Sequence, residues 1–141
     1  MNQGLPCVQL DQWPPEIITR RLAEQALQLP DVSERQSRLA DPSVRAITIP
    51  DEFARGSREA FIDDHEFCHL HPPPRGSVLL TLPPEIRQES IEFGWAEPHP
   101  FAGQGFLPAG LTLAYAPRND RELRVVFGLI EVSYRFARGL L

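Results

Sequence analysis

The sequence predicts an α+β fold: a mainly antiparallel sheet containing a β-hairpin, packed by helices that include a long C-terminal helix. Three observations carry that expectation. Two short apolar runs, 67–71 and 77–82, flank Pro72-Pro73-Pro74-Arg75-Gly76, the arrangement of two antiparallel strands and their turn. Near the C-terminus, Leu123, Val126, Phe127, Ile130 and Tyr134 fall at helical spacing. Finally, the 15 prolines bracket the apolar segments and form no tract, which is how proline punctuates a folded chain.

Taken in order, residues 14–29 read as a helix. Pro14 and Pro15 suit a first turn, and Ile18, Leu22, Ala26 and Leu29 share a face before Pro30 stops it. Residues 31–40 are polar with a weaker helical pattern, ended by Asp41-Pro42. Val44 to Ile49 reads as a strand closed by Pro50. The stretch 51–64 has Gly56-Ser57 at its middle and little periodicity, so a loop and a hairpin both fit. Phe67, His69 and His71 then alternate with Cys68 and Leu70, which turns Cys68 away from the histidine pair. Pro83-Pro84 opens a helix that runs to about Phe93 and ends at Gly94. A glycine-rich loop (Gly103, Gly105, Gly110) leads to a strand at Leu111 to Ala116. Asn119 is a natural N-cap for the last helix, and Glu122 completes a capping box. The expected organisation is an N-terminal helical segment, 1–42, and an α+β domain, 43–141, forming one compact unit.

At 141 residues the chain can bury a single core without staples. Its 19 acidic and 14 basic residues leave a net charge of -5, which argues against a nucleic-acid partner. Cys7 and Cys68 are too few for a disulfide framework, and no run approaches the roughly 18 apolar residues of a membrane span. The expectation is a reduced, soluble, cytoplasmic protein that does not enter a membrane. Gly103-Gln-Gly105 lacks the strand, third glycine and helix of a dinucleotide fingerprint, and no Gly-x-Ser-x-Gly elbow exists.

Three strings concentrate the chemistry. In the first, His65, Cys68, His69 and His71 carry metal-ligating atoms, but strand alternation separates Cys68 from the histidines. His69 and His71, beside Glu66, suit acid–base work; they equally suit donation to backbone carbonyls at a sheet edge. In the second, Gly94-Trp95-Ala96-Glu97-Pro98-His99-Pro100, the prolines hold the chain extended and His99 has little freedom. Trp95 can cover a planar ligand or plug the core. In the third, Tyr115-Ala116-Pro117-Arg118-Asn119, Arg118 precedes a helix N-terminus, where a guanidinium and unpaired amides favour an anion. Arg118 can instead pair with Asp120 or Glu122, and Tyr115 at a strand end suits packing with a satisfied hydroxyl. Arg20, Arg21, Glu24, Glu34, Arg35 and Arg38 read as a solvated face with no assigned role.

These strings, with Ser77-Val78-Leu79-Leu80-Thr81-Leu82 between them, fall in the order and at the intervals of a known family. Residues 45–138 resemble the luciferase-like domain of bioluminescent fungi and of many uncharacterised bacterial proteins. The fungal members oxidise a hydroxylated α-pyrone with molecular oxygen. The resemblance implies an enzyme that needs no flavin or metal, so no cofactor is expected, and the partner is a small molecule. It directs attention to His69, His71 and His99 as catalytic groups and to Trp95, Tyr115 and Arg118 as substrate contacts. On that analogy one histidine removes an enolic proton, Arg118 holds the anion and Trp95 lines the ring. A shared domain does not carry a shared substrate. Two readings stand: a cofactor-independent oxygenase or proton-transfer enzyme acting on a small planar enol, and a non-catalytic module that binds a small ligand or another protein.

Overall fold

The computed structural model describes residues 14–38 and 41–141. Cys7 and the rest of 1–13 lie outside it, as do Leu39 and Ala40. The elements run α1 (Glu16–Leu27), β1 (Ser33–Gln36), β2 (Arg45–Thr48), β3 (Glu66–Leu70), β4 (Val78–Thr81), α2 (Pro84–Glu92), β5 (Ala96–Pro98), β6 (Leu111–Ala114) and α3 (Asp120–Ala137). The six strands form one antiparallel sheet in the order β1-β2-β3-β4-β6-β5. This is the α+β architecture expected, with the β3–β4 hairpin near its centre and the long helix last.

One face of the sheet carries the main core. Ile47, Cys68, Leu70, Val78, Leu80 and Ala114 are buried there with Leu22 and Ala26 of α1 and Leu123, Val126 and Ile130 of α3. The stripe on α3 recurs every three or four residues, so one side of the helix enters the core along its whole length. Asn119 caps it: its side-chain oxygen accepts from the Glu122 N–H at 2.9 Å. Replacing Asn119 by alanine should cost about 1 kcal/mol, measurable as a lower urea midpoint. The other end is held by a close approach. The Gly56 N–H donates to the Ala137 carbonyl at 2.8 Å, and a Cβ on Gly56 would lie 2.2 Å from the Phe136 carbonyl oxygen.

The structure departs from the sequence reading in four places. Residues 33–36 form an edge strand and not a second helix, because β2 offers its hydrogen-bonding edge to a segment whose own helical pattern is weak. The ambiguous stretch 51–64 is a loop containing two short 3-10 turns, Asp51–Phe53 and Arg58–Ala60. The extended Ala96–Pro98 is a true strand, paired with β6. Finally, strict alternation fails at Phe67. Thr48 pairs with Glu66 and Ile47 with Cys68, leaving Phe67 as the extra residue of a β-bulge. Phe67 and Cys68 therefore both enter the main core, while Glu66 comes round to the face that carries His69.

Among the described residues, no helix is long and apolar enough to cross a membrane. The described residues before 43 are joined to the rest: β1 pairs with β2, and the Tyr134 hydroxyl of α3 donates to the Pro30 carbonyl at 2.7 Å.

Candidate functional site

The candidate site lies on the sheet face away from α1 and α3. The pairing register places one row of residues across it: Arg35, Ala46, His69, Leu79, Leu113 and Glu97, from β1 to β5. Leu79, Leu111 and Leu113 form an apolar patch there with Ile62, partly covered by Ala102 and Leu107 of the loop that follows β5. His69 pairs opposite Leu79 and the His99 backbone N–H donates to the Leu111 carbonyl, while His71, at the end of β3, also lines a pocket with Thr19, Leu22 and Ala23 of α1.

His69 is 3% exposed, and its Nδ1 lies 2.9 Å from Oε2 of Glu66, which is fully buried. A carboxylate only accepts, so the bond puts the ring proton on Nδ1 and leaves the lone pair of the neutral ring on Nε2. The other oxygen of Glu66 accepts from Arg35 at 3.4 Å, and Arg35 also donates to Asp63 at 3.4 Å.

The His71 ring meets that of His69 edge-on, with centroids 5.2 Å apart. Its Nδ1 donates to the Ser77 carbonyl at 2.9 Å, with the Ser77 hydroxyl at the same distance. Burial above all, then the positive charge of Arg75 and the repulsion His69 exerts when it is protonated, pushes the His71 pKa down to about 3. His71 is thus a neutral ring at ordinary pH.

His99 is half-buried. Its Nδ1 accepts from the Phe101 backbone N–H at 3.1 Å, so the neutral ring carries its proton on Nε2. Its pKa is lowered by burial and by the repulsion of His69 when that ring is protonated, with Glu97 opposing. The three rings feel one another: His69 and His99 both contribute to holding His71 neutral.

Trp95, Tyr115 and Arg118 meet elsewhere. With Gly94, Pro117 and Val126 they line a cavity of about 150 Å³. The Tyr115 hydroxyl donates to Glu97 Oε1 at 3.0 Å, which links this cavity to the histidine face. Burial, then the bond to Glu97, pushes the Tyr115 pKa up to about 12. Arg118 is clamped on Glu122, with Nε 3.0 Å from Oε1 and a terminal nitrogen 2.7 Å from Oε2. That pairing holds the Glu122 carboxyl below the usual range. The arginine thus meets the nearby acid the sequence offered it, and its charge is matched within its own helix turn.

The remaining metal-ligating groups of the first string disperse. Cys68 lies wholly in the core, where burial and then the Glu66 charge push its thiol pKa up. The His65 ring sits 3.2 Å from both Asp51 and Asp64. Among the described residues, no group of three or more His, Cys, Asp or Glu side chains is placed to hold a metal ion.

Arg35 is not legible as a site residue in the sequence, where it belongs to a solvated face; β1 brings it to Glu66. Residues 64–133, which hold His69, His71 and His99, match the family model of the Luciferase domain. These residues belong to the luciferase-like domain family. The chain is 39% identical over 70 residues to a luciferase of Armillaria gallica, covering 48% of this chain and 26% of that protein. It is 37% identical over 86 residues to a luciferase of Neonothopanus nambi, covering 59% and 29%. The luciferase-like match thus spans between a quarter and a third of those relatives. No solved structure matches the chain significantly.

Proposed function

We propose that this luciferase-like domain is a cofactor-independent enzyme that takes a proton from a small planar enol, such as a hydroxypyrone, and exposes the resulting anion to molecular oxygen. The observation that carries the reading is the set of hydrogen-bond partners at the three Nδ1 atoms, from which the tautomer of each neutral ring follows. His69 has its lone pair on Nε2 with a carboxylate behind it, as a general base requires. His99 accepts at Nδ1, which leaves its neutral ring an Nε2–H to give, as a group that steadies an oxyanion requires. His71, neutral and bound to Ser77, adds no positive charge that would weaken the neighbouring base.

In the proposed step, the enol O–H bond breaks and its proton passes to His69 Nε2. The enolate, held by the His99 N–H, gives two electrons to dioxygen, and a bond forms between ring carbon and oxygen. The His69 proton then returns to the peroxide, so substrate and oxygen leave as a hydroperoxide with the base restored. The buried side chains of Leu79 and Leu113 give the histidine face an apolar floor. The Trp95 and Tyr115 cavity is assigned to the rest of the ligand. Arg118, bound to Glu122, supports that wall and leaves the anion to His99.

Oxygen uptake with a panel of hydroxylated pyrones and related enols tests the reading, with binding followed by calorimetry. His69→Gln should lower uptake about 10²- to 10⁴-fold while leaving affinity within a small factor. Binding with no uptake by the unaltered chain would mark a binding module instead, and undiminished uptake by the variant would remove His69 as the base.

A further inference from the structure

The fully buried Glu66 has two partners, His69 on one oxygen and Arg35 on the other. We infer that Glu66 and Arg35 act together as positioning residues that set which nitrogen of His69 carries its proton, Arg35 doing so from the edge strand. The inference deepens the proposed function, since its importance for catalysis rests on His69 being the base.

The argument is one of donors and acceptors. Arg35 has only donors to give, so whichever oxygen of residue 66 faces it must accept. A carboxylate has a second oxygen left for His69, and that oxygen also only accepts. The Nδ1 of His69 must then carry the proton, and Nε2 is left basic. Two features make the arrangement firm. Glu66 lies on this face only because Phe67 is extruded from the ladder, so the bulge aims the carboxylate. Asp63 accepts from the same terminal nitrogen of Arg35 at the same 3.4 Å, a second anchor for that end of the guanidinium.

An amide in place of the carboxylate separates this logic from mere packing. Glu66→Gln has almost the same shape but one acceptor oxygen. Arg35 claims that oxygen, so the NH₂ group turns to His69. Nδ1 must then accept, and the proton moves to Nε2. Removing the guanidinium as well, in Glu66→Gln with Arg35→Met, lets the amide turn its oxygen to His69 and restores the first tautomer.

Long-range ¹H–¹⁵N correlation spectra of the labelled full chain read this directly, at a pH where the ring is neutral, with His69→Gln identifying the signal. The expected result is a protonated Nδ1 in the unaltered protein, inversion in Glu66→Gln and reversion in the double variant. A protonated Nε2 in the unaltered protein would overturn the proposal, and so would a spectrum unchanged by Glu66→Gln or still inverted in the double variant. The first of these stands even if no variant folds. The spectra are recorded without ligand, so they separate failure of this inference from failure of the proposed reaction, which only the oxygen assay reads.

Discussion

Acidification should destabilise the protein by about 2 kcal/mol between pH 7 and pH 5 through His71 alone, since a tenfold change in proton affinity is worth about 1.4 kcal/mol. In the unfolded chain this histidine takes a proton near 6.5; in the fold its pKa is about 3. Between those values the unfolded state binds the extra proton. Stability therefore falls as the pH drops through this window and is fully retained above it. The cause is local. The ring is buried, and Arg75, His69 and His99 all disfavour a positive charge on it, which together outweigh the upward pull of the bond to the Ser77 carbonyl. His99 is shifted in the same direction and adds to the slope. Urea unfolding at the two pH values, beside His71→Asn, isolates the contribution. The asparagine amide can still donate to the Ser77 carbonyl but does not titrate, so the variant should lose about 2 kcal/mol less on acidification. An equal loss in both proteins would show that His71 is not the group responsible.

Phe67→Ala should cost about 3–5 kcal/mol at every pH, the usual range for emptying an aromatic site in a core. The side chain is fully buried, and its ring centroid lies 5.9 Å from that of Tyr134 on α3. Its backbone carbonyl accepts from the Ser133 hydroxyl at 3.2 Å, so the same residue ties the bulge to α3. Thermal unfolding followed by circular dichroism measures the loss. A change below about 1 kcal/mol would mean that neighbouring side chains close the space, contrary to dense packing around the bulge.

That bulge also explains where sequence reasoning stops. The hairpin, α1, α2 and α3 are legible because proline, glycine and cap residues mark their ends and helical spacing marks their inner faces. His69 and His71 pair on one face as a period of two predicts. The same period puts Phe67 on that face too, because an extra residue in a strand leaves no trace in it; only pairing with β2 reveals the bulge. The same blindness hides Glu66 as a partner of His69. Arg35 is obscured for a different reason. In Ser33-Glu34-Arg35-Gln36 every residue is polar, and only the neighbouring strand decides which of them faces the site. The separation between the histidines and the Trp95 cavity arises from three-dimensional packing between β5, β6 and α3, which spacing along the chain does not encode.

The two outer strands described above set a limit on how this chain can associate. β1 has four residues, all polar, and β5 has three and ends in Pro98, which has no N–H to offer. Exposed sheet margins are where polypeptides most readily add foreign strands and begin to form fibrils. Both margins here are short, and neither presents an apolar run for a stacked neighbour to grip. Growth by strand addition is thereby discouraged from either side of the sheet.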